Sequence, residues 1–197
     1  YSAARVEAAG VVPFATRFRY QTAFYQLVLD AVLAGAAAAA VRDVSEQVRS
    51  RTRGFSHGAG TVVRNDPQVL QVVGRARAFA FAARAATLEA ARAAQHAYET
   101  SQAGDAAADE AANVAAELAS AAAQVAGADL ALRATSEVFN ALSASAAATG
   151  LALDRHWRNA RTAASHNPLI YKERILGDHA VNGTEPVYVW QIGRVTG

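Results

Sequence analysis

Cysteine and methionine are both absent from this 197-residue sequence, and proline occurs only four times. Lysine occurs once, at Lys172. Without cysteine there is no disulfide framework, no thiolate metal site and no cysteine nucleophile. The remaining basic side chains are arginines spread along the chain, and the net charge is only +2. A nucleic-acid surface would gather them into a stripe with aromatic or groove-reading residues, so no nucleic-acid partner is expected. No segment joins a basic start, an apolar centre and a cleavage site, and Arg42, Arg75, Arg84 and Glu117 interrupt the alanine-rich stretches. No membrane partner is therefore expected, and the cytoplasm is the default location. Metal-ligand spacings and a nucleophile elbow are missing, and Gly54, Gly58 and Gly60 lack the strand, helix and lysine that a phosphate loop requires.

What is abundant is alanine, as in Ala36 to Ala40. A hydrophobic content of 52% against 18% charged residues is a globular balance, and alanine favours helix, so the core is expected to consist of many thin helix contacts. A length of 197 residues fits one domain with flanking pieces. The chain opens at Tyr1 without a methionine, and Ala8 to Phe14 reads as the tail of something earlier, so the chain is expected to be a fragment.

Three long helices are predicted. The first runs from about Phe18 to Arg53, with Leu27, Val28, Ala31, Gly35, Ala38 and Ala39 as its packed face. After a glycine-rich loop, Asn65-Asp66-Pro67 supplies an N-cap acid and a proline at the first helical position. The second helix then runs to about Glu99 on Val69, Val72, Val73, Ala76, Ala80, Ala83 and Thr87, with Arg77, Arg84 and Arg92 outside. A third, from about Asp105 to Ala141, carries Val114, Leu118, Ala121, Val125, Ala128 and Leu132. Short connections make this an antiparallel, all-α bundle of long helices with short extended flanks. Residues 1–17 are assigned to a preceding domain or linker, 18–183 to the bundle and 184–197 to an extended tail, with Val187 to Trp190 weakly strand-like.

From Leu153 to Gly183 the composition turns polar and aromatic. Asp154 is placed to cap a short helix bearing Arg155, His156, Trp157, Arg158, Asn159 and Arg161, and Asn167-Pro168 restarts the chain as a fifth helix closed by Gly177, Asn182 and Gly183. Arg158 and Arg161 share a helix face, which suits either a cofactor or an ion-pair network to Asp154, Glu173 or Asp178. Trp157 and Tyr171 read as packing residues or pocket walls.

The run Leu153 to Thr162, then Ser165-His166-Asn167-Pro168 and Tyr171-Lys172, resembles the C-terminal signature of acyl-CoA dehydrogenase-like flavin monooxygenases of the dibenzothiophene monooxygenase and sulfur-acquisition oxidoreductase type. The likeness extends to Phe24-Tyr25-Gln26-Leu27, Gly35, Arg51-Thr52-Arg53, Asp66-Pro67 and Gly74-Arg75, and is most specific in the last fifty residues. It implies an N-terminal helical domain and a β-barrel ahead of this bundle, homotetramers assembled through the bundles, and a flavin between domains and subunits. The cofactor implied is FMN, reduced by a separate flavin reductase, with FAD as the alternative. The implied reaction is oxygenation of a small or aromatic, possibly organosulfur, molecule.

Dehydrogenases of this superfamily use a carboxylate near the last helix to remove the substrate α-proton. Here Ser165-His166-Asn167-Pro168 stands in that region, and no acidic residue lies between Asp154 and Lys172. An imidazole suits proton donation to oxygen chemistry at near-neutral pH, so His166 is the catalytic candidate, with a helix-end role as the alternative. Arg51 and Arg53 match the family's flavin-phosphate arginines, although arginines at a helix C-terminus also complement its dipole. Arg158 and Arg161 are the further cofactor candidates, Asn167 and Tyr171 the substrate candidates. His57 is placed to line the flavin edge. The competing functions are an FAD-dependent acyl-CoA dehydrogenase or flavin oxidase, and a non-catalytic helical assembly module.

Overall fold

The structure, a computed structural model, describes residues 21–59 and 62–187. It contains five α-helices: α1 (Gln21–Ser50), α2 (Pro67–Ala103), α3 (Ala106–Glu137), α4 (Asp154–His166) and α5 (Leu169–Asn182). Among the described residues there is no strand. The three long helices pack on one another, α4 lies against α1 and α3, and α5 lies on α3. The predicted all-α bundle is the observed fold. Residues 1–17, and the tail from residue 188 onward with most of its strand-like run, lie outside the described residues.

Local chemistry sets the turns. Asp66 caps α2 by accepting from the backbone N–H groups of Gln68 at 2.9 Å and Val69 at 3.4 Å, with Pro67 first in the helix. Its other carboxylate oxygen accepts from the Ala59 N–H at 3.2 Å, which ties the preceding loop to the same cap. Gly58 lies so close that a Cβ there would stand 2.8 Å from Asp66 Oδ2. At the far end Gly104 takes a left-handed φ of 79°, and Asp105 immediately caps α3 through the Ala107 and Ala108 N–H groups. Two residues thus reverse the chain, which forces α2 and α3 antiparallel.

Several sequence expectations shift. α2 runs through Ser101 to Ala103, and α3 gives way at Glu137 to a 3-10 turn over Val138–Ala141. Asp154 does not cap α4 with its side chain; it is the first helical residue, 3.9 Å from Arg158 in an ion pair. Gly177 lies inside α5, and Gly183 ends it with φ 71°.

The larger correction concerns which face of α1 is buried. Val28, Ala31, Gly35 and Ala38 of the predicted stripe are exposed, whereas Ala23, Gln26, Asp30, Leu33, Ala37, Ala40, Val44 and Val48 are buried. On α3 the valines and leucines of the predicted stripe are half-buried, while Asn113, Glu117, Ser120, Gln124 and Thr135 lie inside with the alanines. When most positions are alanine, rotating a helix changes the buried area little, at about 25 cal/mol per Å², so periodicity has little contrast. By length and composition α1 is apolar enough to cross a membrane, contrary to the expectation for the alanine-rich stretches; here it packs against α2, α3 and α4.

Candidate functional site

The approach to α4 is a tight, mostly 3-10 segment with two non-glycine residues at positive φ, Ser143 (56°) and Ala152 (47°). From there α4 buries His156, Ala160, Ala163 and Ala164 and turns Trp157, Arg158, Arg161, Thr162, Ser165 and His166 outward. Those six line an open recess of about 470 Å³ whose whole described wall is this one helix. No carboxylate is among them. Arg158 is partly engaged by Asp154, whereas Arg161 has no ion-pair partner among the described residues. His166, the last residue of α4, is exposed. The recess therefore offers two guanidinium groups, an indole face, two hydroxyls and an imidazole, a set suited to an anionic, aromatic ligand.

The inner face of α4 is tied to α1 by charge. His156 is buried with Nε2 2.8 Å from Asp43 Oδ2, and the Arg155 guanidinium pairs with the same oxygen. Burial opposes ionisation of Asp43, but the His156 hydrogen bond and the His156, Arg155 and Arg42 charges outweigh it and hold the carboxyl below its ordinary range. His156 is thus a structural residue of the α1–α4 contact.

Arg51 lies elsewhere, at a second recess of about 200 Å³ whose lining includes Arg51, Phe55, His57, Gly58, Asp66 and Asn140 but not Arg53. Arg51 donates to the Leu142 carbonyl at 2.9 Å, to Ser145 Oγ at 2.6 Å and to the Arg53 carbonyl at 2.9 Å. Its guanidinium also lies 5.9 Å from the Phe55 ring, which stacks on His57. Arg51 therefore fastens the 3-10 segment to the end of α1, while Arg53 is exposed.

His166, Arg158 and Arg161 line the same recess. The other two candidates differ: Asn167 donates through Nδ2 to Gln26 Oε1 at 3.0 Å on α1, and Tyr171 is exposed on α5 with the Arg174 guanidinium 5.9 Å from its ring. Sequence reasoning missed the buried polar group of Asp30, Glu117 and Lys172. Its signal was the single lysine, and acidic or amide residues spaced four and seven apart (Gln26 and Asp30, Glu117 and Gln124) on otherwise alanine-rich helices. Among the described residues no cluster of three or more metal-ligating side chains occurs.

An all-α bundle of long helices is the fold of the C-terminal domain of acyl-CoA dehydrogenase-like proteins. Residues 27–169 match the acyl-CoA dehydrogenase C-terminal domain, and the chain belongs to that family. It is 30% identical over 162 residues to a dibenzothiophene monooxygenase of Mycolicibacterium goodii, spanning 82% of this chain and 38% of that protein. The methanesulfinate monooxygenase MsuC of Pseudomonas fluorescens superposes with a TM-score of 0.76 at 30% identity, over 91% of this chain and 44% of that one. The complex of TdsC from Paenibacillus sp. A11-2 with FMN and indole gives 0.74 at 26% identity, over 89% of this chain and 45% of that one. The chain thus spans less than half the length of these relatives.

Proposed function

We propose that this chain is the C-terminal helical part of a flavin-dependent monooxygenase that uses reduced FMN and O2 to oxygenate a small or aromatic molecule, an organosulfur compound being the favoured class. The observation that carries the reading is the exposed imidazole of His166 on a recess with arginines and no carboxylate. Removing an α-proton from an acyl thioester needs a carboxylate base, and neither the recess nor the chain between Asp154 and Lys172 provides one, which disfavours the FAD-dependent dehydrogenase alternative. FMN fits the free cation at Arg161 and the aromatic wall at Trp157, and when bound it supplies the electrons that activate O2. The work left to this chain's residues is to bind and to move a proton. Arg161, with Arg158, would hold the anionic end of the cofactor, Trp157 would wall the site, and the His166 imidazole would be the group that donates a proton to the oxygen chemistry.

His166 and Arg51 do not serve one flavin within one chain. Asn167, beside His166, contacts Gln26 near the start of α1, and Arg51 follows its last residue. At 1.5 Å per residue those ends are about 36 Å apart. If Arg51 or Arg53 also holds a flavin phosphate, it does so on another copy, which supports a homo-oligomer, with a tetramer through the bundles as the form proposed. A transient flavin reductase supplies the reduced cofactor, and the cytoplasm is the proposed location.

The test is oxygen-dependent product formation from aryl and alkyl sulfides by the complete protein with FMN and a flavin reductase, beside the His166→Ala variant. Turnover that collapses in the variant while FMN binding persists supports the reading. Oxidation of acyl-CoA by an FAD-bound protein, indifferent to His166→Ala, would sink it.

A further inference from the structure

Helix α5 has a single buried side chain, and it is charged. Lys172 is 4% exposed, while Leu169, Ile175 and Leu176 are half-buried and Ile170, Tyr171 and Val181 lie at the surface. A short surface helix ordinarily docks through an apolar stripe. This one places an ammonium against a buried carboxylate of α3. Nζ of Lys172 is 3.4 Å from Oε1 of Glu117 on α3, itself 1% exposed. Asp30 on α1 is equally buried, and burial pushes its carboxyl up to about 7 against the opposing pull of the Lys172 charge.

A second contact holds the other side of the α4–α5 junction. Gln26, one turn before Asp30 on the same face of α1, accepts the hydrogen bond from Asn167. Pro168 is therefore flanked by two fastenings to the bundle, Asn167 before it and Lys172 after it, and His166 is the residue next to the first.

Stability does not explain this choice. Taking three ionisable groups out of water is costly, and a well-packed apolar side chain in place of a buried ion pair is often neutral or stabilising. Neither Asp30 carboxylate oxygen has a hydrogen-bond partner among the described residues, which adds to the cost. What an ion pair supplies and an alanine surface does not is register: on smooth, alanine-rich α3 a helix held by weak apolar contacts can slide, whereas an ammonium paired with one fixed, buried carboxylate has one seat.

We propose that Lys172, paired with buried Glu117, is a positioning residue that fixes the register of α5 and thereby where His166 stands in the recess. The catalytic half of this statement rests on the reading of His166 given above; the structural half does not.

The experiment compares Lys172→Met, Lys172→Arg and the double variant Glu117→Gln/Lys172→Met in the complete protein. The double variant leaves Glu117 uncharged and so guards against simple misfolding. Hydrogen exchange over residues 165–176 and steady-state sulfide oxygenation are measured together. Lys172→Met and the double variant are expected to raise exchange in that segment about 10-fold, with α1 and α3 unchanged. They are expected to lower kcat about 10-fold at unchanged KM, while Lys172→Arg keeps most of both. Exchange equal to the unmodified protein overturns the proposal whatever His166→Ala does. Raised exchange with unchanged kcat, in a protein that does need His166, overturns it as well. If His166→Ala turns over normally, the functional reading falls, and the exchange data alone decide whether Lys172 sets the register.

Discussion

Nε2 of His156 and Oδ2 of Asp43 are 2.8 Å apart across the α1–α4 contact, with the histidine buried and the Arg155 guanidinium on the same carboxylate. This is the polar fastening that holds the recess-bearing helix to the bundle. Asp43→Asn removes the charge all three partners share and is expected to cost about 1–3 kcal/mol at pH 7. Because the folded carboxyl titrates below its unfolded value, its stabilising contribution is present above the ordinary carboxylate range and is lost as pH falls through the folded value. The melting-temperature gap between Asp43→Asn and the unmodified protein should therefore narrow below about pH 4. A gap that stays constant down to pH 3 would show that the charge contributes nothing.

Asp30 has the opposite sign. Its folded value of about 7 lies above the ordinary 3.8, so the native state holds a proton that the unfolded state releases, and stability falls as pH rises between those limits. Melting curves from pH 5 to pH 8 should show a smaller loss for Asp30→Asn than for the unmodified protein. Equal losses would mean that Asp30 is charged throughout.

Asp66 satisfies two N–H groups of α2 with one oxygen and the Ala59 N–H with the other. Asp66→Ala is expected to destabilise the bundle by about 1–2 kcal/mol, read from denaturant midpoints at unchanged slope. Asp66→Asn retains the cap oxygen and should lose less.

The two arginines after α1 should separate in their effects. Arg51→Ala breaks bonds to the Leu142 carbonyl and Ser145 Oγ and should lower stability by about 1–3 kcal/mol, whereas exposed Arg53→Ala should leave it within about 0.5 kcal/mol. If Arg53 contacts a flavin phosphate in the assembled protein, its variant should weaken FMN binding without moving the melting temperature, as titration would show.

The sequence by itself determined the helices and three of the points at which the chain starts, stops or turns. Asp66-Pro67, Gly104-Asp105 and Asn167-Pro168 each carry a local reason for the chain to start, stop or turn, and local reasons are legible in a single chain. It also determined the chemistry of α4, because the lack of any acid between Asp154 and Lys172 is a matter of composition. Tertiary structure alone decided which side of α1 is buried: Gln26 faces inward to accept a hydrogen bond from Asn167, more than a hundred residues away, and Asp30 lies buried on the same face. It also decided that Arg51 braces a turn at one end of α1 while His166 stands near the other. Alanine contributes about the same on every face of a helix, so the local pattern does not announce its rotation, and the buried polar contacts of Asn167 with Gln26 and of Lys172 with Glu117 form only in the tertiary structure.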